Sequence, residues 1–386
     1  MAKTPRGRSD KSRTRAKSSA KKTKARKALT QRSAPKRVAV PETGPVTLAE
    51  AQAIVAARRP ALALARAEIL ADPTPITPRG VAEERRRLRR ARDTELEQRL
   101  REYTETMAVM RARGALLVPR TKQPPGGEGA AAIAAGEPPL NILAEGDSWF
   151  DYPPFFPKGG IVRRLQDLIG LPILNLAKAG DEVRFMLGVE ERRVLTNYFA
   201  NGSPAGGRWD AVLFSGGGND IVDNPMALWV RDFDPAVPPA QLVHSTRFNT
   251  ALDLVRAGYE DLIALRDRYS PDTHLLFHGY DFAIPDGRGV CFLGPWLRPT
   301  FALRGFPATP LTAAQAVVRE MLERFARMLG GLATANPRVT FVNGQGTLPV
   351  QTSSWHNELH PSRPGFDSFA ALFRQALLAL FPGRVR

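Results

Sequence analysis

The 386-residue sequence predicts an α/β fold built on a parallel sheet. Three observations carry that expectation. Short β-rich runs alternate with helical segments through the C-terminal two-thirds of the chain. The runs are nearly continuous in apolar residues, as strands covered on both faces are. Glycines and polar residues stand where several runs stop, which is the edge at which such sheets bind ligands.

The sheet does not begin at the N-terminus. The formal net charge is +17, yet residues 1–37 hold 15 of the 55 Lys and Arg residues and, of the 38 acidic residues, only Asp10. That segment has no aromatic residue and too little apolar area to offset ordering entropy, so residues 1–40 read as a disordered basic tail. A weak, salt-sensitive contact with nucleic acid or another anionic polymer is expected of residues 1–37. Residues 41–118 read as a helical extension. Thr47 and Glu50 match a capping box ahead of an Ala- and Leu-rich run to about residue 70. A second helix, from about 78 to 110, carries Leu96, Leu100, Tyr103 and Met107 on one stripe, which suits an exposed hairpin or a partner-facing surface. Pro124, Pro125, Gly126 and Gly127 break regular structure, so 119–138 reads as a flexible linker and 139–386 as the principal domain.

Within that domain strands are expected at 140–145, 173–177, 211–215, 274–278 and 339–343. Helices are expected at about 159–169, 182–200, 247–269, 311–330 and 364–380, joined by right-handed crossovers. Segments 222–246 and 282–310 interrupt the rhythm and read as binding loops or lids.

Composition narrows the function classes. The one cysteine, Cys291, excludes an intrachain disulfide framework and a multi-cysteine zinc site, and is expected only to pack. No run approaches the roughly 18 apolar residues of a membrane span, and no apolar stretch follows the basic start as a signal peptide requires. A cytoplasmic protein without a membrane span is the expectation.

Four segments carry the chemistry. Gly146-Asp147-Ser148 puts a hydroxyl where the first apolar run ends; alone it would read as an ordinary Asx or Ser turn. Gly180 follows the second run, where its backbone N–H is a candidate oxyanion donor. Gly216, Gly217 and Gly218 after the third run let the backbone approach a ligand, and the Asn219 amide is a further donor. Segment 355–362 holds two of the five histidines, and an activated serine needs a base of pKa near 7, for which His360 is the candidate.

In this order along the chain, the four segments resemble the signature blocks of the SGNH (GDSL-like) hydrolase superfamily over residues 139–386. The resemblance implies a flavodoxin-like three-layer α/β/α sandwich with strand order 2-1-3-4-5. It also implies ester hydrolysis through an acyl-enzyme, with Ser148 as nucleophile and His360 as base. The oxyanion would be held by the backbone N–H groups of Ser148 and Gly180 and the side chain of Asn219. No metal or organic cofactor is implied.

One position departs from the family pattern. The usual triad acid lies three residues before the histidine, where this chain has Asn357. An asparagine oxygen can orient the ring, as in Cys-His-Asn sites, without compensating the imidazolium charge. Asn357 is therefore the first candidate for the orienting group, and Glu358 the second. His356 and His360 are four apart, but His-Asn-Glu-Leu-His is not the zincin order, so no metal is expected. The loop after Ser148, rich in aromatic residues and proline, separates it from the next helix and would leave that helix dipole remote. Trp149, Tyr280 and Trp296 are candidate substrate contacts, with His278 and Asp281 beside them.

The leading expectation is a serine hydrolase acting on a small acyl ester or an acetylated carbohydrate. The alternative is a catalytically weak or inactive SGNH-like domain in a protein that binds nucleic acid or an anionic surface through its basic arm.

Overall fold

Five apolar runs become the strands of one sheet: β1 (Ile142–Gly146), β2 (Ile173–Asn175), β3 (Ala211–Ser215), β4 (His274–His278) and β5 (Val339–Val342). They come from a computed structural model that describes residues 44–58, 78–117, 131–132, 138–152, 159–290 and 293–386. The expectations for the basic tail, for most of the linker, for the aromatic residues of 153–158 and for Cys291 lie outside the described residues.

All five strands are parallel, in the order β2-β1-β3-β4-β5. This is the 2-1-3-4-5 order that the family resemblance implies. Every residue of β1 and β3 is buried, as a strand sandwiched between two helical layers must be. Leu143, Val212, Leu213 and Leu275 are completely buried in the centre. Each such side chain contributes about 2 kcal/mol through loss of apolar contact with water.

Helices α3 (Gly160–Ile169) and α10 (Arg363–Leu380) pack together on one side of the sheet. The opposite layer holds α4 (Val183–Met186), α5 (Val189–Asn201), α7 (Ser245–Tyr269) and α9 (Thr312–Ala335). The fold is thus a three-layer α/β/α sandwich. A single helix over 182–200 is not found. The chain breaks between α4 and α5 at Leu187 and Gly188, and a Cβ at Gly188 would come within 3.0 Å of the Arg184 carbonyl. Glycine is among the poorest helix formers, and the break falls there.

Segments 222–246 and 282–310 contain short helical turns at Asn224–Leu228, Pro239–Leu242 and Arg298–Leu303, the last termed α8.

The helical extension is fastened to this body. The Thr47 backbone N–H donates to Glu50 and the Glu50 N–H to the Thr47 hydroxyl, closing the capping box of α1 (Leu48–Arg58). Along the helix α2 (Pro78–Arg113), Tyr103, Met107 and Met110 are buried. The Tyr103 hydroxyl donates to the Asn141 side chain at 3.0 Å, just before β1. The apolar stripe expected to face solvent or a partner is therefore covered by the chain's own α/β body. Among the described residues no helix is long and apolar enough to cross a membrane.

Candidate active site

At the carboxyl end of β1, Gly146 lies so close to β3 that an added Cβ would meet the Ser215 carbonyl at 2.6 Å. Only glycine allows this approach, and it sets the start of the turn that carries Ser148. The Phe150 and Asp151 N–H groups both donate back to the Asp147 carbonyl. Although ten residues intervene, α3 returns to this turn: Ile161 N–H donates to the Trp149 carbonyl at 2.8 Å. Gly160, at φ 73°, makes that return possible, because a side chain there would strike the Phe150 carbonyl. The helix is not remote from Ser148 in space, contrary to the sequence expectation.

His360 comes from the loop between β5 and α10, which is pinched by a bridge between Trp355 and Pro361. Its Nε2 stands 2.7 Å from Ser148 Oγ. Its Nδ1 stands 3.0 Å from Asn357 Oδ1, which also accepts the backbone N–H groups of Leu359 and His360 at 2.9 Å each. An amide oxygen can only accept, so His360 carries its proton on Nδ1 and presents an unprotonated Nε2 to the serine hydroxyl.

The Asn357 orientation has its own cause. Asn357 Nδ2 donates to the Tyr152 hydroxyl at 2.9 Å, and that hydroxyl lies 2.7 Å from His356 Nδ1. The Tyr152 ring also stacks on His360, with centroids 3.9 Å apart and planes within 8°. Burial pushes the His360 imidazole down to about 3, with His356 adding to the effect, so the ring is held neutral.

Glu358 does not face the His360 ring. Its two carboxylate oxygens accept four backbone N–H groups, from Gly287, Trp296, Leu297 and Arg298. The carboxylate anchors the loop that sets Trp296 edge-on to His360, at 5.9 Å between ring centroids. Among the described residues no group of three or more His, Cys, Asp and Glu could hold a metal ion.

Behind Ser148 lies a second polar cluster. Asp147 accepts from the Tyr280 hydroxyl, from Ser215 Oγ at 2.9 Å and from Trp149 N–H at 3.0 Å. Its carboxyl is pushed up to about 6 by burial, which these donors only partly offset. Ser215 Oγ also contacts His278 Nδ1 at 3.1 Å, and burial lowers His278 to about 3. Trp149 packs against His278, Tyr280 and Phe369, so it and Tyr280 are held by the core as well as facing the site.

Ser148, Asn219 and His360 share one cavity, whose remaining wall is mostly apolar. Asn219 sits in the short helix α6 (Gly218–Ile221), and its amide donates to the Asp181 carbonyl at 2.8 Å. That bond ties the turn after β3 to the turn after β2. Gly180 lies in the latter turn in the left-handed region, at φ 87°, next to the cavity-forming segment but outside the cavity wall. Sequence reasoning placed Tyr152 only among loop aromatics that could line a pocket, because no spacing rule connects it to a histidine two hundred residues away.

No family model matches the sequence, and no curated protein does. Solved structures do. A lipase from a goat rumen metagenome is 16% identical, with a TM-score of 0.39, over 61% of this chain and 97% of that one. An extracellular lipase from Streptomyces rimosus is 15% identical, with a TM-score of 0.37, over 61% and 99%. A carbohydrate esterase of family 3 from Talaromyces cellulolyticus is 11% identical, with a TM-score of 0.36, over 62% and 97%.

Proposed function

We propose that the protein is a serine ester hydrolase working through an acyl-enzyme on Ser148. The observation that carries this reading is the 2.7 Å contact between Ser148 Oγ and His360 Nε2 at the wall of a cavity. A hydroxyl so placed against a neutral imidazole has a route for its proton as its oxygen attacks an acyl carbonyl. His360 takes that proton and returns it to the departing alcohol; a water then repeats the sequence to release the acid.

The negative charge of the tetrahedral intermediate falls to the Ser148 and Gly180 backbone N–H groups and the Asn219 amide. One such donor is worth about 3 kcal/mol of barrier. Asn357 keeps His360 in the productive tautomer but leaves the transient imidazolium without a compensating carboxylate.

Two measurements test the reading. A fluorophosphonate probe should label Ser148, and hydrolysis of p-nitrophenyl esters should vanish in Ser148→Ala and His360→Ala. Labelling of another serine, or hydrolysis that survives either substitution, would refute it.

A further inference from the structure

We infer that exposed arginines of α2 form a cationic wall near Ser148 and select esters whose alcohol part carries a negative charge. This rests on the reading of Ser148 as nucleophile. The course of α2 places the wall. Toward its C-terminal end, Arg111 reaches the Asn141 side chain and the Gly206 carbonyl, both at the amino edge of the sheet. Arg99 binds the Asn175 and Ala177 carbonyls at the carboxyl edge, so α2 runs antiparallel to the strands and its N-terminal half extends past that edge. Arg92 lies on the same helix face as Arg99, about 10 Å further along the axis. There it meets the turn after β2: burial raises the Asp181 carboxyl, and the Lys178 and Arg92 cations oppose the rise. The carbonyl of the same Asp181 accepts the Asn219 amide, which faces the cavity.

Residues 85–92 hold six arginines and no acid. Arg86, Arg89, Arg90 and Arg92 are exposed, and among the described residues none of them forms an ion pair. The other cations of these turns are engaged: Arg99 with Glu95 and Asp151, Lys178 with Glu191, and Arg184 with Glu182. Positive charge free to act on a ligand is therefore concentrated on α2. The cavity has the opposite character. Among the described residues its wall includes Asp147 and Asp281 and no Lys or Arg, so a negative charge inside it would meet no cation. The alcohol leaves the cavity as the acyl-enzyme forms, and a charge on that part of the ester is met by the surroundings, where α2 supplies the unpaired guanidiniums.

Across about 10 Å of water at low ionic strength, one unit charge changes the local concentration of a monoanion about twofold. Replacing two arginines by glutamates alters four charges, which gives about tenfold. The test uses the full chain and two esters that share an acetyl group: p-nitrophenyl acetate and 5-acetoxy-2-nitrobenzoate, whose leaving phenol carries a carboxylate. In about 10 mM salt the ratio of kcat/KM, charged ester over neutral, should fall about tenfold in the double variant Arg89→Glu, Arg92→Glu. In the double variant Arg89→Lys, Arg92→Lys, which keeps both charges, it should stay within about twofold of the parent's. Raising the salt to about 0.5 M should bring the parent's ratio down to that of the glutamate variant. A ratio that does not respond to charge reversal, or that falls equally in the lysine variant, would overturn the cationic wall and leave Ser148 catalysis standing. Hydrolysis of neither ester, or hydrolysis that persists in Ser148→Ala, would refute the reading of Ser148 and this inference with it.

Discussion

Asn357 Oδ1 lies 3.0 Å from His360 Nδ1, in the place where the SGNH resemblance implies a carboxylate. The geometry of an orienting group is thus present and its charge is not. Burial therefore acts on His360 unopposed and holds the imidazole far below its ordinary value, at about 3. The imidazole remains neutral in acid, and under the proposed mechanism its protonated form is costly at the step that needs it.

Restoring the charge should change both properties. In Asn357→Asp the carboxylate favours the imidazolium, so the acid limb of kcat/KM should move up by about 1–3 pH units. The maximal rate should rise about tenfold or more, because the imidazolium formed in the transition state is then compensated. The Tyr152 hydroxyl can turn its proton toward the new carboxylate, keeping that contact. A pH-rate profile indistinguishable from that of the parent chain would count against His360 as the base.

Tyr152 supports the same ring in two ways, by stacking on it and by fixing the Asn357 amide. Tyr152→Phe separates them, since the ring stays and the hydroxyl goes. One buried hydrogen bond of this kind is worth about 1 kcal/mol. A fall in kcat of about fivefold with little change in KM is expected, from steady-state kinetics on a soluble ester. A change confined to KM would place Tyr152 in substrate binding instead.

Arg99 links the helical extension to the catalytic turns. Its guanidinium reaches Asp151, three residues past Ser148, at 2.5 Å, and the Asn175 and Ala177 carbonyls at 3.2 and 3.1 Å. It thereby braces the turn of Ser148 against the turn that leads to Gly180. Lysine cannot span three acceptors as a planar fork does. Arg99→Lys should lower kcat by tenfold or more while thermal unfolding shifts by only a few degrees. Activity equal to the parent's would mean that α2 is merely attached and does not position the oxyanion donors.

The strands and the turns that carry Ser148 and Asn219 were legible because each depends on local pattern, apolar runs that end in glycine or a polar residue, whereas His360 stood out only through the scarcity of histidines and the family resemblance. The helix over 182–200 was misread as continuous because periodicity carries through Gly188, while the break depends on tight contact with Arg184 and Phe185. Glu358 was a candidate for the triad acid on sequence proximity alone. Its engagement by Gly287 and residues 296–298 follows from a loop 60 to 71 residues upstream, which no local rule reveals. The stripe on α2 was visible, but what covers it was not, because Asn141 and Arg99's acceptors belong to other strands and turns.

Glu145 offers a test of how the central strand tolerates a carboxyl. It is buried in β1, accepts its partner Gly146 N–H at 3.0 Å, and is pushed up to about 8 by burial, with Lys178 only partly opposing this. The folded value lies above that of the unfolded chain, near 4.5. Between these values the folded state binds more protons, so this group's stabilising contribution is complete below about pH 4.5 and is lost as pH rises through about 8. Glu145→Gln removes the titration and keeps an acceptor for Gly146. Its melting temperature relative to the parent chain should therefore improve more at pH 9 than at pH 5. An identical difference at both values would show that Glu145 is ionised in the fold across the whole range, with Lys178 as an effective partner.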